Sequence, residues 1–189
     1  MSGMVLQGSD RDLIEGCRRG EREAFHTLFE TYQSTIYSIA LRFSGNEALA
    51  MDIAQDTFLK LFSSMADFRG DSSFGTWVYR LVVNSCLDHQ RRAWRLVPIG
   101  GNVMALLRAP GDALHGLLHS EMRGRVQSAV AKLPADQRIV VVLRYTEGLA
   151  YEEIATVLGC SIGTVASRLN RAHKALGRRL SQLKGGSHV

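Results

Sequence analysis

Proline, cysteine and long apolar runs are all scarce in this sequence. Its three prolines fall outside the predicted helices or at the start of one. Its three cysteines are odd in number, far apart and without a CxxC pair, which predicts neither a zinc site nor a disulfide framework and suits a reducing cytoplasm. No apolar run is long enough to span a bilayer, and the N-terminus lacks the basic and apolar segments of a signal peptide. We therefore expect a cytoplasmic protein without membrane insertion.

Acidic residues are also missing from one part of the chain. After Glu153 there is no Asp or Glu, although several Arg and Lys residues follow. The whole chain carries a net charge of +5 and has a pI near 9.4, which favours a polyanionic partner. Hydrophobic residues make up 46% of the sequence, enough to bury a core, so an intrinsically disordered protein is excluded.

The segment from Tyr151 to Leu183 predicts two helices around a tight turn. Gly159 stands where the turn needs a residue that tolerates positive φ, and Ser161 is placed to cap the second helix. Apolar residues then recur at steps of three and four along one helical face: Val165, Leu169, Ala172, Leu176, Leu180 and Leu183. This pattern is typical of a helix-turn-helix, whose second helix enters the major groove of DNA.

The other face of that second helix suits DNA binding. Its polar side chains can reach base edges or phosphates. A solvated basic face is the alternative, and composition alone would favour it. The turn glycine, the cap and the apolar spacing together favour DNA. The candidate DNA-binding residues are Ser161, Thr164, Ser167, Arg168, Arg171 and Lys174.

Helical periodicity also dominates the first half of the chain. Four helices are expected, at about 9–20, 21–43, 47–65 and 73–92. In the second helix, Phe25, Leu28, Phe29, Tyr32, Ile36, Ile39 and Ala40 are predicted to lie on the buried side. In the third, Asp52, Gln55 and Asp56 have the spacing of one outward polar face.

The fourth predicted helix ends in basic residues around Trp94. Basic residues interleaved with an aromatic suit single-stranded nucleic acid, which offers phosphates and unstacked bases. A cationic helix end that complements the helix dipole is an equally good interpretation of this segment alone.

The chain is predicted to be all-α, with two small helical domains and a flexible linker between them. Pro98, Gly100, Gly101, Pro110 and Gly111 break any helix in the linker, which we place at 96–116. The domains are then expected at 10–95 and 117–184.

Two helical domains with these features, in this order, resemble an extracytoplasmic-function (group IV) sigma factor, a promoter-specificity subunit of bacterial RNA polymerase. In the first domain, DIAQDTFLKLF is similar to the part of region 2 that binds the polymerase clamp, and FRGDSSFGTWVYRLVVNSCLDHQRR to the part that melts and reads the minus-ten element. In the second, LPADQRIVVVLRYTEGLAYEEIATVLGCSIGTVASRLNRA is similar to region 4, which reads the minus-thirty-five element.

The resemblance implies a role for each surface. Asp52, Gln55 and Asp56 become polymerase-binding residues, and the helix-turn-helix residues become minus-thirty-five contacts. The 68–73 loop would capture a flipped base beside the minus-ten residues. Core RNA polymerase, promoter DNA and an anti-sigma factor are the implied partners. Relatives often carry a basic residue at the position of Ala166, so one phosphate contact is expected to be absent here. The implied minus-ten residues are Asn84, Asp88, Arg91 and Arg92.

Two other function classes remain to be weighed. A stand-alone helix-turn-helix regulator would use residues 1–95 for sensing or dimerisation, but the first domain carries the polymerase-binding pattern instead. An enzyme would need a catalytic or metal-binding site. The only metal-binding candidate in the sequence is His115 and His119 with Glu121. This group lacks the Glu that a metalloprotease helix carries between its two histidines. We therefore expect no catalytic residue, no metal site and no cofactor.

Overall fold

A computed structural model describes the backbone of residues 9–95 and 117–184, and the side chains of 11–93, Arg95 and 124–181. Every regular element in these ranges is helical. The predicted linker at 96–116 lies outside the described residues. The α-helices are α1 Ser9–Arg18, α2 Arg22–Ser44, α3 Glu47–Ser63, α4 Phe74–Arg95, α5 Leu117–Ala131, α6 Ala135–Tyr145, α7 Tyr151–Leu158 and α8 Ile162–Lys184, with a short 3₁₀ helix at Met65–Asp67.

A glycine and an asparagine make the tight connection between α2 and α3. Gly45 adopts φ 68°, a left-handed conformation that costs other residues energy, and its N–H donates to the Leu41 carbonyl. Asn46 then caps α3, because its side-chain oxygen accepts the Leu49 N–H at 3.0 Å. The two helices therefore fold back on each other and pack along their length.

The N-terminal core lies where α2, α3 and α4 meet. Its fully buried side chains include Leu28, Ile36, Ile39, Ile53, Leu61, Val78 and Val82. One residue expected on the buried side of α2 is not there: Phe29 is 39% exposed. Its ring packs against Phe58 of α3 with centroids 4.8 Å apart, at the outer edge of the helix pair. Phe29 continues the helical spacing, but its side chain remains partly exposed to solvent.

The helix-turn-helix is present as expected. The Glu153 carboxylate accepts the N–H of Ala150 at 2.7 Å at the start of α7. Gly159 adopts φ 60° in the turn, and Ser161 accepts the Thr164 N–H at 3.1 Å as the N-cap of α8. Pro134 also begins a helix, but as the residue before α6 and not as its first residue.

The two halves of the chain pack together and share one continuous core. Helices α2 and α4 of the first half contact α6 and α7 of the second. Arg138 of α6 is 3% exposed and lies over the ring of Phe43, with its Cζ atom 5.0 Å from the ring centroid. The structure is therefore the closed arrangement of two domains whose relative placement the sequence leaves open.

Candidate nucleic-acid and protein interfaces

The exposed side of α8 carries a single row of polar and basic residues. The buried side is anchored by Val165, Leu169 and Ala172, all essentially inaccessible. On the opposite side, residues recur at steps of three and four, so they line one face. None of them forms an ion pair with a described acidic residue. This α8 row consists of Thr164, Ser167, Arg171, Lys174 and Arg178.

Local hydrogen bonds order the start of the α8 row. The hydroxyls of Ser161 and Thr164 lie 2.9 Å apart, and Ser167 donates to the Thr164 carbonyl at 2.9 Å. Arg171 donates from Nε to the Ser167 carbonyl at 3.3 Å and remains exposed. Hydroxyl and guanidinium groups therefore occupy the first turns of α8, where backbone N–H groups also point outward.

Arg168 lies apart from the α8 row. Its side chain is 26% exposed, and its Nε atom lies 3.6 Å from Oδ2 of Asp136 in α6. The position borders the apolar face of α8, so the guanidinium turns toward the neighbouring helix. Arg168 is one of the predicted DNA-binding residues, but its contact in this structure is with Asp136 inside the same domain.

The minus-ten candidates lie on α4 beside a polar seam with α3. Asn84, Arg91 and Arg92 are exposed. Asp88 is half-buried and accepts from Lys60 of α3 and from Arg91, each at 3.3 Å. Three of the four candidates therefore face solvent, whereas Asp88 also holds the two helices together.

An aromatic cluster positions the loop before α4. Phe68 packs on Phe74 and Trp77 with ring centroids 5.3 and 5.1 Å away. Ser73 caps α4 by accepting the Thr76 N–H at 3.2 Å. The exposed tip of the loop, at Arg69–Asp71, therefore projects from a fixed base beside α4.

The predicted outward face of α3 is only partly correct. Asp52 and Gln55 are exposed as expected. Asp56 instead turns toward α4, where its Oδ2 atom lies 2.7 Å from Nε2 of His89 and 3.7 Å from Nη1 of Arg92. The reason is geometric: Asp56 lies one turn before Lys60, which contacts Asp88 of α4, so both side chains are on the side of α3 that packs against α4.

Sequence reasoning missed two apolar residues on that outward face. Met51 is 63% exposed and Leu59 is 60% exposed, one helical turn on either side of Gln55. Each residue stands four positions from Gln55 in the sequence, and this helical spacing predicts that they share one face with it. The α3 face therefore combines Asp52 and Gln55 with two large apolar side chains, a combination typical of a protein-binding surface.

The described residues form neither a candidate metal site nor a candidate membrane-spanning helix. No group of three or more His, Cys, Asp or Glu side chains within these ranges could hold a metal ion. The candidates His115, His119 and Glu121 lie outside the described side chains. No described helix is long and apolar enough to cross a membrane.

Two family models match this chain. Sigma-70 region 2 matches residues 28–96, and Sigma-70, region 4 matches residues 123–176. The RNA polymerase sigma-H factor of Pseudomonas aeruginosa is 35% identical over 95% of this chain and 98% of its own length. The chain belongs to the sigma-70 family of RNA polymerase sigma factors.

Further relatives place this sigma factor in the expected group. The ECF RNA polymerase sigma-E factor of Escherichia coli is 33% identical over 95% of this chain and 98% of its own length. The similarity to these relatives confirms the prediction that the chain is an extracytoplasmic-function sigma factor. It favours a promoter-specificity subunit over a stand-alone regulator.

Solved structures confirm the all-α, two-domain fold. CnrH in complex with the cytosolic domain of CnrY superposes with a TM-score of 0.66 at 26% identity, over 94% of this chain and 99% of that one. The sigma factor RpoE in complex with the anti-sigma factor NepR, from Bartonella quintana, also gives 0.66 at 26% identity, over 83% of this chain and 96% of that one.

Proposed function

We propose that this sigma factor directs initiation through three separate surfaces. The α3 face of Met51, Asp52, Gln55 and Leu59 binds core RNA polymerase. The exposed side of α4 and the 68–73 loop hold the opened minus-ten region, and the α8 row reads the minus-thirty-five element. Residues 10–95 thus form the polymerase-binding and strand-opening domain, and 117–184 the duplex-reading domain.

One observation carries the proposal. The α8 row has cationic and uncharged polar side chains, and no described acidic residue neutralises its cations. Each Lys or Arg that binds a phosphate releases a counterion from the DNA, and this release favours binding. The cations of the α8 row therefore gain free energy from DNA, whereas no described acidic residue pairs with them inside the protein. The cap at Ser161 adds the open N-terminus of α8, which favours a phosphate.

The chemistry proposed for α4 is strand capture without catalysis. Separating base pairs costs a few kcal/mol for each base taken out of the stack, and basic and polar groups that hold the single strand offset part of this cost. Asn84, Arg91 and Arg92 supply such groups. We accordingly assign no enzymatic activity and no cofactor to the chain, and place it in the cytoplasm with the polymerase.

An anti-sigma factor is the proposed regulator. The support is that the RpoE structure similar to this chain contains the anti-sigma factor NepR. Purification of the chain from its native cell under several growth conditions tests this. A partner that prevents core binding is the expected result, and its absence in every condition would contradict it.

Reconstitution with core RNA polymerase tests the proposed function. The holoenzyme should initiate from a subset of a promoter library, whereas core polymerase alone should not. In permanganate footprinting, Asn84→Ala should reduce thymine reactivity near the start site more than it reduces recruitment of the holoenzyme. A chain that binds duplex DNA by itself and leaves polymerase unchanged would indicate the stand-alone regulator instead.

A further inference from the structure

Arg18 of α1 binds the start of the loop that precedes α4. Its Nη2 atom donates to the carbonyl of Phe68, and its Nε atom lies 3.5 Å from the carbonyl of Met65. Phe68 directly follows the 3₁₀ helix and has an extended backbone conformation. A side chain 50 positions earlier in the chain therefore binds the backbone where the 68–73 loop begins.

The packing of α1 fixes the position of Arg18. Gly16 of α1 lies so close to α2 that a Cβ atom there would be 2.9 Å from the Cβ of Ala24. The N–H of Glu21 donates to the Gly16 carbonyl at 3.0 Å, and Ile14 of α1 is buried. Helix α1 also contacts the 3₁₀ helix. Arg18, the last residue of α1, is consequently held beside the loop.

Phe68 is held from two directions. Its ring packs against Phe74 and Trp77 of α4, and its carbonyl accepts from Arg18 of α1. The next residues, 69–71, are exposed and form the tip of the loop. The aromatic contacts fix the ring, whereas the Arg18 contact fixes the backbone from which the tip projects.

The Arg18 contacts act on the loop more than on the whole fold. Arg18 is exposed, so its hydrogen bonds replace bonds to water and contribute little to global stability. Such a bond instead changes how often the local segment opens. A loop that is ordered before binding loses less conformational entropy when it captures a base than a mobile loop does.

We propose that Arg18 is a positioning residue for minus-ten recognition. It holds the Phe68 carbonyl and thereby presents the 68–73 loop in the conformation that captures a flipped base. A fixed loop rejects a base that does not fit, whereas a mobile loop can repack around several bases. The recognition half of this inference rests on the proposed function, whereas the anchoring of the loop by Arg18 does not.

Three variants isolate this role. Arg18→Ala removes both contacts with the loop. Arg18→Lys keeps the positive charge but loses the planar guanidinium whose donors reach two carbonyls. Arg22→Ala, at an exposed position on the neighbouring α2, is the matched control for loss of one positive charge. Circular dichroism and urea unfolding establish that each variant keeps the fold.

Loop order is measured on the free full-length chain. Trypsin cleaves after Arg69, which is exposed at the tip of the loop, and the cleavage rate of the native chain follows the population of the opened segment. Arg18→Ala and Arg18→Lys should increase cleavage at Arg69, followed by mass spectrometry, at least about threefold. A rate for Arg18→Ala equal to that of Arg22→Ala would overturn the anchoring role.

Base discrimination is measured on the reconstituted holoenzyme. The probes are fluorescent single-stranded DNAs that carry the minus-ten sequence selected by the wild-type holoenzyme, each with one base changed. Arg18→Ala and Arg18→Lys should reduce the preference at the captured base about fivefold, with the salt slope unchanged. Affinity for core polymerase should stay within about twofold of wild type, because Arg18 lies outside the α3 face.

A direct DNA contact by Arg18 would give a different result. The salt slope of Arg18→Ala would fall by about 0.7, the value for one phosphate on a single strand, and Arg18→Lys would restore it. That result would overturn the positioning role. Unchanged base preference despite faster cleavage at Arg69 would overturn it as well.

Failure of the proposed function would be distinguishable. A wild-type holoenzyme that prefers no base in the minus-ten probes would contradict the function proposed for the loop, while cleavage at Arg69 would still report whether Arg18 anchors it. A wild-type holoenzyme that discriminates normally, with Arg18→Ala matching Arg22→Ala in both assays, would overturn only the role of Arg18.

Discussion

Arg138 Nη1 donates a hydrogen bond to the carbonyl of Phe43, which lies 3.0 Å away in space and 95 positions earlier in the chain. Its Nη2 atom donates to the carbonyls of Ala131 and Leu133. One guanidinium thus binds the C-terminal ends of α2 and α5, where the helix dipoles favour positive charge. Burial lowers the pKa of Arg138 to about 10, so it remains charged at neutral pH.

Arg138→Met should destabilise the chain by about 2–4 kcal/mol. The variant keeps most of the side-chain volume but leaves buried carbonyls without a donor, and each such loss costs about 1–3 kcal/mol. Urea unfolding followed by circular dichroism measures the change. Arg22→Met, an exposed change on α2, is the control, and equal unfolding midpoints for the two variants would contradict this role.

Substitutions on α3 should separate polymerase binding from strand opening. Asp52→Arg or Leu59→Ser should weaken binding to core polymerase about tenfold or more, because both side chains are exposed on the α3 face. Asp56→Asn should leave that affinity within about twofold and instead reduce open-complex formation, because Asp56 holds His89 and Arg92 of α4. If Asp56→Asn reduces core affinity as much as Asp52→Arg, Asp56 meets polymerase directly.

The α8 row should show two kinds of DNA contact. If Arg171 reads a guanine, Arg171→Ala should cost about 1–3 kcal/mol and relax preference at one base pair of the minus-thirty-five duplex. If it binds phosphate, affinity should fall for all sequences and the salt slope should decrease by about one, as expected for Lys174→Ala and Arg178→Ala.

Arg168→Ala is the internal comparison for that experiment. Because Arg168 contacts Asp136, its loss should change the salt slope less than the loss of Lys174 does. Equal changes for the two variants would mean that Arg168 leaves Asp136 to bind DNA. Wild-type affinity in all the α8-row variants would contradict the assignment of this face to DNA.

Glu147 should make the folded chain less stable as the pH rises. Burial raises the pKa of Glu147, although Tyr79 Oη lies 3.4 Å from its carboxylate and opposes the shift. Between the unfolded and the folded pKa, the folded chain retains a proton that the unfolded chain has lost, so stability is greatest below the unfolded value and decreases as pH rises through the folded one.

Glu147→Gln should flatten this pH dependence. The amide resembles the protonated acid, so the variant should be at least as stable as wild type at pH 7 and unchanged at pH 4. Tyr79 does not titrate in this range, because burial and the charge of Glu147 raise its pKa to about 12. Urea midpoints at several pH values measure the effect, and parallel curves for variant and wild type would exclude Glu147 as its source.

Local sequence signals determined the helices and the helix-turn-helix. Gly45 and Gly159 adopt the left-handed φ that their turn positions require, and Ser161 forms the cap that its position predicts. The apolar spacing identified Val165, Leu169 and Ala172 as the buried side of α8. These features depend on residues within a few positions of one another, so a single sequence contains the information.

Only the tertiary structure decided what the polar residues do. Asp56, Arg168 and Arg80 all have the periodicity of surface positions, yet they contact α4, α6 and α7 respectively. Phe29 has the periodicity of a core residue and remains partly exposed. Helical periodicity predicts on which side of its own helix a residue lies. Which other helix packs against that side depends on contacts between residues as far apart in the sequence as Phe43 and Arg138. That packing, and with it the closed arrangement of the two domains, is a property of the whole chain.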